Sequence, residues 1–308
     1  MNDKPSLEQL LAVQEHFGLP SPALVEKDWY VVKALAAIAA AETPPFRLIF
    51  GGGTALSRAH GLIRRMSEDI DLKIVSPSKP SRAALDNLRS TITDALLGAG
   101  FAFDPQNPEQ RTSMYDNKYT RYQFPYEAIA RGEGTLRPEI QIETSVWPMR
   151  NPSIDRPLRS FIAEAFDRPP EVASIACAAI AESAAEKLVA LTRRAGAELA
   201  GLRQQRDPTL VRHVLDLHAI CEQYDPGEVA ALAREIMIDD AQTYGKDFPA
   251  YQADPLTETL KAINGIAADQ GFGRDYAAFR RDMVYGEAPD FQTAVVTLKR
   301  LAQHLRQP

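Results

Sequence analysis

Cysteine is scarce. Cys177 and Cys221 are the two in 308 residues, and neither sits in a CxxC or Cys/His pattern. That argues against a disulfide scaffold or a zinc finger and makes a reducing cytoplasmic compartment the expected one. Long apolar runs are missing too: no stretch approaches the roughly 18 residues of a membrane span, so no membrane partner is expected. The opening residues MNDKPSLEQL lack a basic segment followed by an apolar core, so they do not read as a signal peptide. Positive charge is not in excess. A net charge of −6 argues against a protein that coats nucleic acid, while leaving room for a local basic groove. Internal repeats and low-complexity tracts are also absent. What is present is the composition of a globular protein, 45% hydrophobic and 25% charged, long enough for one large domain or two ordinary ones.

The order of elements suggests two parts. Ser21 is a good N-cap with Pro22 in the first turn, so a helix should run to about Ala41, and Pro44-Pro45 ends it. FRLIF (46–50) reads as a buried strand broken by Gly51-Gly52-Gly53, and TALSRAHGL as a short helix. A strand around Asp69 and Asp71 follows. The segment SPSKPSRAALDNLRSTITDALLGAG then suits a turn and an amphipathic helix. Strands are expected at FAF (101–103), KYTRYQF (118–124) and RPEIQIETSVW (137–147). This mixture predicts an α+β (or α/β) domain on one mixed sheet with flanking helices, residues 1–166. Beyond about 165 the pattern turns helical. Ile180, Ala184, Leu188, Leu191, Ala195, Leu199 and Leu202 step by three and four, and Leu210, Val214, Leu217 and Cys221 repeat the spacing. Further helical patterns at 226–238, 256–266, 273–284 and 291–305 make 167–308 a mostly helical C-terminal domain.

The chemistry concentrates in RRMSEDIDLKI, Arg64 to Ile74. Period-2 alternation puts Ile70, Leu72 and Ile74 on one face and Asp69 with Asp71 on the other. Two carboxylates about 6–7 Å apart at the backbone repel each other unless a cation lies between them. Mg²⁺ is bound in this way, by one or two carboxylates completed by substrate phosphates. One short helix earlier, IFGGGTAL places glycines between a strand and a helix, where backbone amides can approach an anion. Either feature alone has an ordinary structural explanation: a tight turn, or an acidic edge in solvent. Together they describe a site for Mg²⁺ (or Mn²⁺) and a nucleoside triphosphate.

The run FGGGTALSRAHGLIRRMSEDIDLKI resembles the nucleotidyltransferase superfamily signature: a glycine turn, a short helix and an acid-x-acid strand. More closely it resembles the abortive-infection AbiEii/AbiGii toxin-type nucleotidyltransferases, a group that includes the MenT toxins. The residues that carry the likeness are Gly52-Gly53-Thr54-Ala55-Leu56 and Arg65-x-Ser67-x-Asp69-x-Asp71. VEKDWYV (25–31) is similar to the group's N-terminal helix. EKLVALTRR (Glu186, Lys187, Arg193, Arg194) and RHVLDL (Arg212, His213, Asp216) are similar to its later motifs. His213 stands where many relatives carry a first aspartate, and GAELAGLRQQRDP reads as an insertion. By spacing alone, Lys187 with Arg194 and Arg212 with Asp216 are helix-face neighbours that could equally be solvated pairs.

The resemblance implies roles. Asp69, Asp71, Lys187 and Asp216 would be catalytic. Gly52, Gly53, Thr54, Arg65, Ser67, Arg194 and Arg212 would bind the nucleotide phosphates, and the helical domain would supply Lys, Arg and Asp. A third metal carboxylate would join Asp69 and Asp71. Glu143 is the candidate and Glu139 the reserve; both share a strand face with Gln141. The implied reaction moves a nucleoside monophosphate from an NTP to an RNA acceptor, a tRNA 3′ end, with Arg193, Arg194, Arg203 and Arg206 along the RNA path. The implied partner is a cognate antitoxin of a type IV system. Nucleotidyl transfer to a protein hydroxyl, and a non-catalytic nucleotide- or partner-binding role, remain open alternatives.

Overall fold

The computed structural model describes residues 4–130, 136 and 138–307. The chain divides into two compact units, one of residues 1–61 and 65–178, the other of 62–64 and 179–308.

The first unit is built on a seven-stranded mixed sheet in the order β3-β4-β5-β2-β1-β7-β6. The strands are β1 (Arg47–Gly51), β2 (Asp69–Val75), β3 (Arg111–Met114), β4 (Tyr119–Pro125), β5 (Glu139–Val146), β6 (Ile154–Leu158) and β7 (Val172–Cys177). β2 runs parallel to β5 and β1 parallel to β7; the remaining neighbours are antiparallel. One face is apolar. Ile70, Leu72, Ile140, Ile142, Tyr122 and Phe124 are all at most 2% exposed and form the core on this face. Burial of these side chains is the main force holding the sheet, at roughly 1.5–3 kcal/mol each.

Its helices are α1 (Leu7–Phe17), α2 (Pro22–Ala39), α3 (Gly52–Thr54, continued by a π-helical turn Ala55–Ala59), α4 (Arg82–Gly98) and α5 (Phe161–Ala165). Ser21 caps α2 by accepting from the Ala23 amide, and Ser81 caps α4 by accepting from the Ala84 amide. The expected strand at FAF is a loop instead. Its aromatics are used for stacking rather than for ladder pairing. Phe103 lies 4.6 Å from Phe124 at 10°, and Phe101 lies 5.4 Å from the same ring. Arg137, the first residue of the expected third strand, lies outside the described residues. The division into units falls after β7, one strand beyond the proline-rich Asp167–Pro170.

The second unit is helical: α6 (Ile180–Leu199), α7 (Val211–Ala219), α8 (Pro226–Tyr244), α9 (Pro249–Ala253), α10 (Pro255–Ala268), α11 (Gln270–Met283) and α12 (Phe291–Leu305). α6 packs against α7, α8 and α10. The stripe read from the sequence is buried at Ala184, Leu188, Leu191 and Ala195, whereas Leu199 and Leu202 at its end are exposed. No helix among the described residues is long and apolar enough to cross a membrane.

Candidate active site

β1 delivers Gly51 beside Asp71 on the neighbouring antiparallel strand, and the chain then turns into α3. Gly52 has φ +71°, a left-handed conformation that glycine adopts without strain. A Cβ there would lie 1.8 Å from Asp71 Oδ2, so the carboxylate rests directly against the glycine backbone. At Gly53 a Cβ would lie 2.4 Å from Arg65 Nη2 and 2.8 Å from Ser67 Oγ. The turn is therefore covered by Arg65 and Ser67 on one side and Asp71 on the other, with no room for side chains of its own. Thr54 is fully buried. Its hydroxyl donates to the Asp69 carbonyl and lies 2.9 Å from Ser67 Oγ, which can donate to it. Arg65 is also buried and donates to the Met66 carbonyl at 2.7 Å. Thr54, Arg65 and Ser67 thus bind the glycine turn to the start of β2.

Asp69 and Asp71 are half-buried on the polar face of β2, opposite Ile70 and Leu72. Across the parallel β2–β5 pair, Asp69 faces Gln141 and Asp71 faces Glu143; across β4–β5, Glu143 faces Arg121. In-register partners share a sheet face. Gly51, Asp71, Glu143 and Arg121 therefore form one row across four strands. Glu143 accepts from Gln141 Nε2 at 3.0 Å and from the Tyr119 hydroxyl. Burial, and after it the negative charge and hydrogen bond of Glu143, push the Tyr119 phenol far above its ordinary value. Lys73 continues the Asp69–Asp71 face as a buried cation.

The donor set suits a hard divalent cation. It offers two carboxylates on one strand face, a third beside them, and a glycine cradle for phosphate. Among the described residues no group of three or more His, Cys, Asp or Glu side chains is arranged so that it could hold a metal ion. A site with two protein carboxylates and the rest of its coordination left to substrate and water is the magnesium mode.

The helix read from VEKDWYV supplies residues that sequence reasoning left without a role. Glu26, Lys27 and Asp28 follow one another on α2 and all three are buried. Glu26 accepts the amides of Ile129 and Ala130 at 2.9 Å. Lys27 pairs with Glu68 at 3.2 Å and donates to the Glu139 carbonyl, joining the starts of the two acid-bearing strands. Asp28 pairs with Arg58 at 3.0 Å and accepts the Phe161 amide at 2.6 Å. Burial outweighs the Arg58 charge and raises the Asp28 carboxyl to about 6.

In the second unit, Lys187 on α6 donates to Asp216 on α7 at 2.7 Å, and both are buried. His213 lies within the field of Lys187 and Arg212. Both of its ring nitrogens are shielded from solvent and have no hydrogen-bond partner among the described residues. Burial first, then those two positive charges, hold its pKa well below the ordinary histidine value, so it is neutral. Arg194 pairs with Asp207. The other basic residues of the expected RNA path are largely occupied: Arg193 with Asp240 at 2.7 Å, and Arg206 with Asp275 at 2.6 Å and Asp269 at 3.3 Å.

Comparison with known proteins adds an independent line. No curated protein matches the sequence significantly. Among solved structures, the nucleotidyltransferase toxin MenT4 (Rv2826c) from Mycobacterium tuberculosis H37Rv superposes with a TM-score of 0.56 at 16% identity, over 98% of this chain and 89% of that one. At that identity the likeness is one of fold. The sequence profile described as "Nucleotidyl transferase AbiEii toxin, Type IV TA system" matches residues 33–297, most of the chain. The chain belongs to the AbiEii nucleotidyltransferase toxin family of type IV toxin–antitoxin systems.

Proposed function

We propose that the protein transfers a nucleoside monophosphate from an NTP to the 3′ end of an RNA, with tRNA as the acceptor, in the presence of Mg²⁺ or Mn²⁺. The observation that carries this reading is the seating of Asp71 against Gly52, which puts a metal-type carboxylate and a phosphate-type backbone turn in contact. Asp69 and Asp71 would hold the ion, with Glu143 beside them as the third acid. When bound, the ion neutralises phosphate charge and favours the ionised form of the attacking hydroxyl.

The remaining work falls to the chain itself. The Gly52 and Gly53 backbone, at the start of α3, offers its amides to the β- and γ-phosphates. Thr54, Ser67 and Arg65 keep that turn in place against β2. The acceptor hydroxyl then attacks the α-phosphorus. Its oxygen–phosphorus bond forms as the bond to the β-phosphate bridging oxygen breaks. The electron pair leaves on pyrophosphate, and the hydroxyl proton passes to a carboxylate of the row and on to water. Positioning and charge neutralisation supply most of the rate in such transfers. In the second unit Lys187 is the proposed leaving-group cation, with its ammonium fixed by Asp216. Arg194 and Arg212 are proposed phosphate contacts. The acceptor and the antitoxin partner belong to this proposal.

The test is incubation with each α-labelled NTP, Mg²⁺ and total RNA, analysed on a denaturing gel. Labelled RNA with release of pyrophosphate is expected, and Asp69→Asn and Asp71→Asn should abolish it. Label that survives ribonuclease on a protein band would overturn the RNA acceptor. Unimpaired transfer by both variants would overturn the site.

A further inference from the structure

We infer that Arg121 is the acceptor-recognition residue: its guanidinium takes the phosphodiester adjoining the 3′-terminal nucleotide of the RNA. This rests on the reading of Asp69 and Asp71 above.

In the row Gly51, Asp71, Glu143, Arg121, the glycine turn lies on the β1 flank of Asp71, and Glu143 and Arg121 lie on the β5–β4 flank. A triphosphate seated on Gly52 and Gly53 sends its pyrophosphate away on the β1 flank. The attacking and leaving oxygens of phosphoryl transfer lie roughly in line, so the acceptor hydroxyl must come from the opposite side. That side is the polar face of β5 and β4.

This face is a poor surface for a polyanion, except at one residue. Glu139, Gln141 and Glu143 line β5, and Gln123 lies opposite Gln141 on β4. Arg121 is the cation there, half-buried and next to Glu143. Its side chain nevertheless makes no hydrogen bond or ion pair among the described residues. The reason is that Glu143 is engaged by Gln141 Nε2 at 3.0 Å and by the Tyr119 hydroxyl. The neighbouring carboxylate is satisfied elsewhere, so the guanidinium fork keeps its donors. Such a fork matches the two free oxygens of a phosphodiester. Two strand spacings put Arg121 about 10 Å from Asp71 at the backbone, a span that an extended arginine side chain and one nucleotide can share. A protein hydroxyl carries no phosphate at that position, so Arg121 would also discriminate between acceptor classes.

The experiment uses the full chain and a short RNA with a free 3′ hydroxyl, alone and with its last phosphodiester replaced by an uncharged methylphosphonate. Binding is measured by fluorescence anisotropy in EDTA, and transfer and slow NTP hydrolysis in Mg²⁺. Arg121→Gln should weaken binding of the natural RNA about tenfold and lower the salt slope by about 0.7. Its NTP affinity and NTP hydrolysis should stay within about twofold of the parent protein. The parent protein should lose the same factor on the methylphosphonate RNA, and Arg121→Gln should not distinguish the two RNAs. Arg121→Lys should retain the salt slope with intermediate affinity. The methylphosphonate comparison on the parent protein stands even if a variant folds poorly. Equal binding of both RNAs by the parent protein overturns the inference, as does loss of NTP affinity in Arg121→Gln, which would place the arginine on the triphosphate. Failure of the underlying reading would show separately, as transfer retained by Asp71→Asn.

Discussion

Gly52→Ala separates backbone strain from damage to the site. At φ +71° an L residue costs about 1–2 kcal/mol in the left-handed region. The new methyl would also lie 1.8 Å from Asp71 Oδ2 and 2.8 Å from its Cγ. An ordinary carbon–oxygen approach is about 3.3 Å, so the carboxylate must withdraw by about 1.5 Å. A displacement of about 1 Å at a reacting centre can cost about a hundredfold in rate. Gly18→Ala is the control: its φ is +62°, yet nothing lies within 4 Å of the added Cβ. Both variants should lose a similar 1–2 kcal/mol, roughly, in denaturant unfolding, from the shared backbone strain. Only Gly52→Ala should lose about two orders of magnitude in transfer of label from NTP and bind Mn²⁺ more weakly. The reasoning fails if Gly52→Ala transfers label within about threefold of the parent protein, because the glycine would then have no part in seating Asp71.

Three further predictions come from buried charges. Asp28 has a folded-state pKa of about 6 against an ordinary 3.8, so its contribution favours the fold below about pH 3.8 and is lost as pH rises through 6. The stability difference between the parent protein and Asp28→Asn should shrink by up to about 3 kcal/mol between pH 4 and 7, and a flat difference in denaturant titrations would refute it. Lys187→Met should cost about 3–5 kcal/mol by leaving Asp216 charged and buried, whereas Arg281→Ala, breaking a fully exposed pair, should leave the stability unchanged. The double variant Lys187→Met/Asp216→Leu should recover most of the stability but not the transfer activity, which calorimetry and the label assay would read separately. His213→Phe should raise the melting temperature by a few degrees, because it removes two unpaired buried nitrogens at about 1–3 kcal/mol; an unchanged or lower value would mean that those nitrogens have partners.

The parts of the fold that were legible are those where one physical signal dominates. Alternation at Asp69–Ile74 marked a strand with a polar face, and the glycine run marked the turn before α3. Ser21-Pro22 marked the start of α2, and the spacing of Leu188, Leu191 and Ala195 marked α6. Illegible parts had signals that pointed elsewhere. FAF alternates like a strand, but Phe103 stacks on Phe124 and Phe101 packs tilted against the same ring instead of pairing. β6 contains Pro157, which reads as a breaker and is tolerated because the strand lies at the sheet edge. β7, VASIAC, is short and carries little bulky apolar surface to mark it. The burial of Glu26, Lys27 and Asp28 depends on amides and charges brought from Ile129, Glu68, Arg58 and Phe161, which no local pattern contains. Arg121 was hidden for the same reason. Its place beside Asp71 is a matter of register across β4, β5 and β2, and register is set by the whole sheet.

The central claim is that Asp69 and Asp71 share a divalent ion beside the Gly52 turn. The most direct measurement is anomalous diffraction at the manganese edge from crystals grown with Mn²⁺ and a non-hydrolysable NTP analogue. The account predicts an anomalous peak in contact with both carboxylates, and the analogue's phosphates against the Gly52 and Gly53 backbone. A peak bound elsewhere, with Asp69 and Asp71 touching neither ion nor nucleotide, would contradict it.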